Sequence, residues 1–228
     1  MGAQLTARGV VADRRGSGHV YVPDKAWTGE GKGPLVVAIH SCQSSGPSYF
    51  ANAKIPWRQG SDRKGWDVSS KRSLVRNGGG DSHAIANMIL FAIEKYDLDK
   101  EKVFVTGGSS GGMMANVMAA TYPDLIRAVS LYSGGAGGVG GQSRGSGEQW
   151  GNVVRAMYRG YTGPRPKMQI WHGSADGDTP TSTVQNFPER NYRTENFGAE
   201  GIVQGIWAQG LGHSVPSNLT ASEQWFGI

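Results

Sequence analysis

The sequence is poor in cysteine, in charge and in long apolar runs, and each shortage closes off a class of protein. One cysteine, Cys42, is present among 228 residues, so no disulfide can form within the chain and cysteine usage gives no sign of an oxidising compartment. No apolar run approaches the length that spans a bilayer. The first sixteen residues carry Arg8, Asp13, Arg14 and Arg15 and no apolar core, so they do not read as a secretory leader. Charged residues make up 18% of the chain, and the net charge is only +5 with no block of Lys and Arg. A nucleic-acid face is therefore not expected, and the charge reads as solvated surface. Gly78-Gly79-Gly80 lacks the following Lys-Ser/Thr of a phosphate-cradling loop, and a helix cap at Asp81 explains it better. What abounds is glycine, with 36 residues against a usual share of about 7%.

Hydrophobic residues at 38% of this length supply one sizeable core, and a single domain over 1–228 is expected. Val10 to Ala12 and His19 to Val22 flank a turn and read as an edge hairpin. Leu35 to Ile39 is a continuous apolar run, as a buried parallel strand requires. Ile85, Met88, Ile89, Ala92, Ile93 and Tyr96 recur at helical spacing behind Asp81. Strands follow at Val103 to Thr106, Ala128 to Tyr132, Met168 to His172 and Ile202 to Ala208. Helices are expected from Ser110 to about Tyr122, from Gln149 to Tyr158 and from Thr220 to Trp225. Gly134 to Gly147 reads as a low-complexity, glycine-rich loop and Thr179 to Glu200 as a polar stretch. Alternating strands and helices predict an α/β fold with a mostly parallel sheet flanked by helices.

Gly107-Gly108-Ser109-Ser110-Gly111 lies between the Val103 strand and a helical pattern. Strand, G-x-S-x-G and helix together form the nucleophile elbow of an α/β-hydrolase, a turn tight enough to demand small neighbours and to expose the serine Oγ. Gly108 to Gly112 fits the same pattern with Ser110 at its centre. Ser109 is preferred because it leaves the strand directly. In this fold the acid and then the base follow the serine in the chain. Only His172 and His213 lie downstream, and His213 sits in Gly210-Leu211-Gly212-His213 after the last strand. Gly173-Ser174-Ala175-Asp176 turns a carboxylate to the end of the sheet, with Asp178 as the rival. His172 then reads as a packing or hydrogen-bonding residue. A serine hydroxyl is a poor nucleophile at neutral pH and needs a base whose tautomer a third group fixes, which gives Ser109, His213 and Asp176 their expected roles. Two donors must meet the oxyanion. The expected pair is the backbone N–H of Ser110 and that of Cys42, which follows the Leu35 strand. Trp66, Trp171 and Trp207 are candidate pocket walls. Trp66 is weighed as a substrate platform against core packing.

Longer segments resemble the fungal acetylxylan esterases of carbohydrate esterase family one, relatives of feruloyl esterases and polyhydroxybutyrate depolymerases. They include Trp66-Asp67-Val68-Ser69-Ser70, Gly78 to Ser82, Val103 to Gly112, Ala119 to Asp124, Gly160 to Ile170, His172 to Asp176, Gly212 to Pro216 and Glu223 to Gly227. The resemblance implies a secreted serine esterase that removes acetyl groups from xylan without a cofactor or metal and works as a monomer away from membranes. It puts the nucleophile on Ser109, the acid on Asp176, the base on His213 and the oxyanion donors on Cys42 and Ser110. A feruloyl or other short-acyl esterase, or a non-catalytic remnant, are the alternatives. Ser48 to Gly65 is too short and polar for the helix and strand expected there in the family, so fewer strands than usual are expected. Asn218-Leu219-Thr220 is a glycosylation sequon.

Overall fold

A computed structural model describes residues 8–12, 18–21, 31–42, 66–135, 146–177 and 192–228. The Ser48 to Gly65 segment and Asp178 lie outside the described residues, as does most of the glycine-rich Gly134 to Gly147 stretch. Within them run β1 (Arg8–Ala12), β2 (Gly18–Tyr21), β3 (Leu35–Ile39), α1 (Asp81–Tyr96), β4 (Val103–Gly108), α2 (Ser110–Thr121), β5 (Ala128–Tyr132), α3 (Gly147–Met157), β6 (Lys167–Gly173), β7 (Tyr192–Phe197), β8 (Val203–Ala208) and α4 (Leu219–Phe226).

All eight strands join one sheet in the order β2-β1-β3-β4-β5-β6-β8-β7. Only the outermost pairs, β1 with β2 and β7 with β8, are antiparallel. The two apolar runs β3 and β4 are parallel neighbours, with Leu35 opposite Val103 and Ile39 opposite Gly107. Between them the described residues hold α1 and no strand, and β1 pairs in parallel with the other side of β3.

Side chains alternate across the sheet, so each strand feeds two layers. Leu35, Val37, Ile39, Val103, Val105, Val129 and Leu131 pack with Ile85, Ile89, Met114, Val117 and Met118 of α1 and α2. The alternate positions are more polar. Ser130, Tyr132, Gln169 and Trp171 meet α4, with Ser222 Oγ 2.8 Å from Ser130 Oγ and 2.7 Å from Tyr132 Oη. Gln169 Oε1 accepts from Ser130 at 2.8 Å and from Trp171 Nε1 at 3.0 Å. Every buried member of this network has a partner, which makes such a network fix one arrangement of helix on sheet. Tyr132 Oη also donates to the carbonyl of Asn218, whose side chain caps α4 by accepting from Ala221 N–H at 3.1 Å. The end of the His213 loop is thereby tied to the sheet.

Two expectations are corrected. Gly80, not Asp81, is the N-cap of α1. Asp81 is the first helical residue, and its carboxylate accepts the backbone N–H of Asp67 at 2.8 Å. The Thr179 to Glu200 stretch, read as polar and given no strand, contains β7. It is a polar edge strand whose side chains are mostly exposed, so it lacks the apolar signal of its neighbours.

Candidate active site

The site is built at the carboxyl ends of the parallel strands, where open α/β sheets gather functional groups. Ser109 follows β4 with φ 53° and ψ −122°, a backbone conformation that a residue with a side chain rarely adopts. Its N–H donates to the carbonyl of Tyr132 at 2.8 Å, and its carbonyl accepts Met113 N–H at 2.9 Å. The glycines around it explain how the turn closes. A Cβ on Gly107 would stand 2.5 Å from the Gly111 carbonyl oxygen. A Cβ on Gly111 would overlap the carbonyls of Ile39 and His40, so the end of β3 lies directly on the first turn of α2. These contacts make Gly107 and Gly111 the required small residues and put the strained position at Ser109. Ser110 is the first residue of α2, where an N–H has no carbonyl four residues back to satisfy it.

His213 bridges serine and carboxylate. Its Nε2 is 2.9 Å from Ser109 Oγ, and its Nδ1 is 2.9 Å from Asp176 Oδ2. The Asp176 side chain is almost wholly buried, whereas that of His213 is 37% exposed, so solvent reaches the base but not the carboxylate behind it. The two loops are stitched together. Ala175 N–H donates to the Leu211 carbonyl at 2.9 Å, and Gly210 N–H to Ser174 Oγ at 2.8 Å. A side chain at Gly173 would collide with the carbonyls of Leu211 and Gly212, so a glycine is required where the His213 loop crosses β6.

The structure thus brings together Ser109, His213 and Asp176, three residues separated widely in sequence, and sets Ser110 beside them. Cys42 ends the described stretch after β3, exposed and free. Trp66 stands differently from a platform. It is 6% exposed, its Nε1–H donates to the His40 carbonyl at 2.8 Å, and its ring lies 4.9 Å from the His40 imidazole. With no free ring face, it packs in the core and braces the segment leading from β3 to Cys42. Asp67 next to it accepts from Ser70 N–H, from the Ser70 and Ser73 hydroxyls and from Ser69 N–H. Burial opposes its charge, but the Ser70 and other hydrogen bonds outweigh that and hold its pKa below the usual carboxylate value. Trp171 is buried against Tyr132, and Trp207 turns toward His172.

His172, the penultimate residue of β6, is the histidine expected from the sequence only to pack or hydrogen-bond. Its Nε2 is 3.0 Å from the same Asp176 Oδ2 that meets His213. Burial pushes its pKa down, Asp176 pulls it up less strongly, and His213 adds to the depression. The i, i+4 spacing of His172 and Asp176 across a tight turn was the available signal.

The chain has solved counterparts and named relatives. A family model described as esterase PHB depolymerase matches residues 17–148. Probable acetylxylan esterase A of Aspergillus clavatus is 40% identical over 260 aligned positions, which take in 92% of this chain and 83% of that protein. This chain belongs to the acetylxylan esterase family. Acetylxylan esterase A of Aspergillus ficuum is 38% identical over 262 positions, with 92% and 84% of the two chains covered. The solved acetyl xylan esterase from Aspergillus awamori superposes with a TM-score of 0.79 at 36% identity, covering 92% and 93%. The fold is that of the α/β-hydrolases. Both alignments are longer than the part of this chain that enters them, so this acetylxylan esterase relative lacks internal segments that the others have.

Proposed function

We propose that this chain is a serine carboxylesterase that releases acetyl groups from acetylated xylan through an acyl-enzyme intermediate. The observation that carries the reading is the unbroken contact from Ser109 Oγ through His213 to the buried carboxylate of Asp176, at 2.9 Å on each side of the imidazole. Family membership supplies the substrate class.

Each atom then has a task. With Nδ1–H directed at Asp176, Nε2 of His213 carries the lone pair and takes the Oγ proton as Ser109 attacks the acetyl carbon. The carbonyl oxygen gains a negative charge that the backbone N–H groups of Ser110 and Cys42 meet. His213 gives its proton to the departing sugar oxygen as the acyl C–O bond breaks, so the sugar leaves as a free hydroxyl and acetyl stays on Ser109. Water, deprotonated by His213, attacks the acyl-enzyme and frees acetate and Ser109. Asp176 stays ionised and holds the imidazole in one tautomer. The protein acts as a single esterase domain over 1–228, as a secreted monomer in xylan breakdown, with neither nucleic acid nor membrane as partner.

The test is acetate release by the purified chain from p-nitrophenyl acetate and from acetylated and feruloylated xylan, with a circular dichroism spectrum of the same sample. Acetate from xylan is the expected product. Ferulate without acetate would make the chain a feruloyl esterase, and a folded chain that releases neither would make it a non-catalytic remnant.

A further inference from the structure

The Cys42 N–H belongs to the peptide unit that joins Ser41 to Cys42, and the other polar half of that unit is the Ser41 carbonyl. The unit is planar and trans, so its C=O and N–H point in opposite directions and turn as one body. A group that holds the Ser41 oxygen therefore aims the Cys42 N–H. His40 Nδ1 lies 2.9 Å from that oxygen. A carbonyl only accepts, so the His40 ring carries a proton on Nδ1 and donates it there. His40 is itself held. It is 5% exposed, its ring centroid lies 4.9 Å from that of Trp66, and its carbonyl accepts Trp66 Nε1–H at 2.8 Å. The same carbonyl oxygen packs on the first turn of α2, where a Cβ on Gly111 would stand 2.5 Å from it. Gly111 follows Ser110, the residue that supplies the other donor. The His40 main chain thus abuts the elbow, while its side chain reaches the peptide that carries the Cys42 N–H.

We infer that His40 is a positioning residue that, through the Ser41 carbonyl, keeps the Cys42 N–H aimed at the oxyanion. The inference rests on the esterase reading above, with Cys42 as one of the two donors. A donor aimed in advance meets the developing charge without reorganisation, and that is the source of an oxyanion hole's strength. Cys42 itself is exposed, so its peptide has water on one side and the buried His40 ring on the other. Without the Nδ1–H the Ser41–Cys42 peptide gains freedom to turn, and the donor spends less time in line. The ground-state ester carbonyl carries little charge, so substrate binding changes little. The loss falls on the tetrahedral intermediate and the transition states that flank it.

The test compares His40→Asn with His40→Leu, two side chains of the same branched shape. Asn can set an amide N–H where Nδ1 stood, and Leu sets a methyl there. His40→Phe keeps a ring against Trp66 and no donor. Each is assayed with p-nitrophenyl acetate for kcat and KM, and for inhibition by an alkyl trifluoromethyl ketone, whose adduct with Ser109 carries an oxyanion. Circular dichroism verifies folding. Outright loss of one oxyanion donor costs about 10²–10³ in kcat, so a misaimed one should cost the Leu and Phe variants about 10- to 100-fold. Their KM should stay within about threefold, and the ketone should bind them more weakly by a factor close to the loss in kcat. Asn should keep kcat and ketone affinity within about threefold of the parent's. Long-range ¹H–¹⁵N NMR of the parent chain should find His40 protonated on Nδ1, a reading that stands even where a variant does not fold. A His40 protonated on Nε2 alone overturns the inference. So do equal losses in Asn and Leu, parental kcat in Leu and Phe, a loss confined to KM, or a fall in kcat with ketone affinity unchanged. If the parent chain is folded but neither turns over the ester nor binds the ketone, the esterase reading fails instead, so the two failures are distinguishable.

Discussion

Ser109 holds a backbone conformation, φ 53° and ψ −122°, that suits glycine, and the structure keeps serine there. Strain of this kind costs about 1–3 kcal/mol. Ser109→Ala keeps the Cβ and so keeps the strain. Ser109→Gly removes it, but adds about 0.4–1 kcal/mol of freedom to the unfolded chain. The balance leaves Ser109→Gly more stable than Ser109→Ala by about 1–2 kcal/mol. In a chain of this size each kcal/mol moves Tm by about 2–4 °C. Thermal unfolding of the two variants, both inactive, should therefore differ by roughly 2–8 °C in favour of glycine. Urea unfolding of the same pair measures the difference independently, at an unchanged m-value. A glycine variant no more stable than the alanine variant would refute the claim that the turn stores strain at Ser109.

Other outcomes follow from the same geometry. Gly111→Ala puts a Cβ into the carbonyls of Ile39 and His40, backbone atoms that cannot rotate away, so it should cost about 3 kcal/mol and most activity. Gly212→Ala meets nothing within 4 Å and should leave thermal stability near the parent's. Ser110 Oγ is buried without a hydrogen bond, so Ser110→Ala should leave stability equal or slightly higher and kcat within a few-fold, against a loss on the order of 10⁴ for Ser109→Ala. The reverse order of the two serine variants would move the nucleophile to Ser110. Stability should also fall with acidity in two steps. His172 is held uncharged in the fold, whereas an unfolded histidine takes a proton near pH 6.5, so stability present above that pH is lost as pH falls toward the depressed folded value. The slope is up to about 1.4 kcal/mol per pH unit and should vanish in His172→Phe. Asp67, held below the usual carboxylate range, loses its contribution only below about pH 4. Urea titrations across pH 3–8 read both steps.

The parallel core was legible because its strands are buried on both faces. Leu35–Ile39 and Ala128–Tyr132 appear with the boundaries their apolar runs imply. The elbow was legible because a strand, small residues and a helical stripe occur in immediate succession. Asp176 and His213 could be placed because chain order and sheet ends leave few candidates. What escaped was set by tertiary contact. β7 is a strand only because β8 offers it an edge, and its own residues carry no apolar alternation. Trp66 looks the same in sequence whether its ring faces a sugar or, as here, the core and the His40 carbonyl. Asp81 gave way to Gly80 as the cap because its carboxylate is drawn to Asp67 N–H. The second imidazole on Asp176 depends on how sharply the chain turns after β6, which spacing alone does not fix.

Covalent capture measures most directly whether Ser109 is a nucleophile activated by His213. A fluorophosphonate reacts with an activated serine and marks the residue that attacked. Peptide mass spectrometry of the labelled chain should find one adduct, on Ser109, and His213→Ala should slow its formation by orders of magnitude. An adduct on Ser110, or a folded chain that takes no label while trypsin in the same tube is fully labelled, would contradict it.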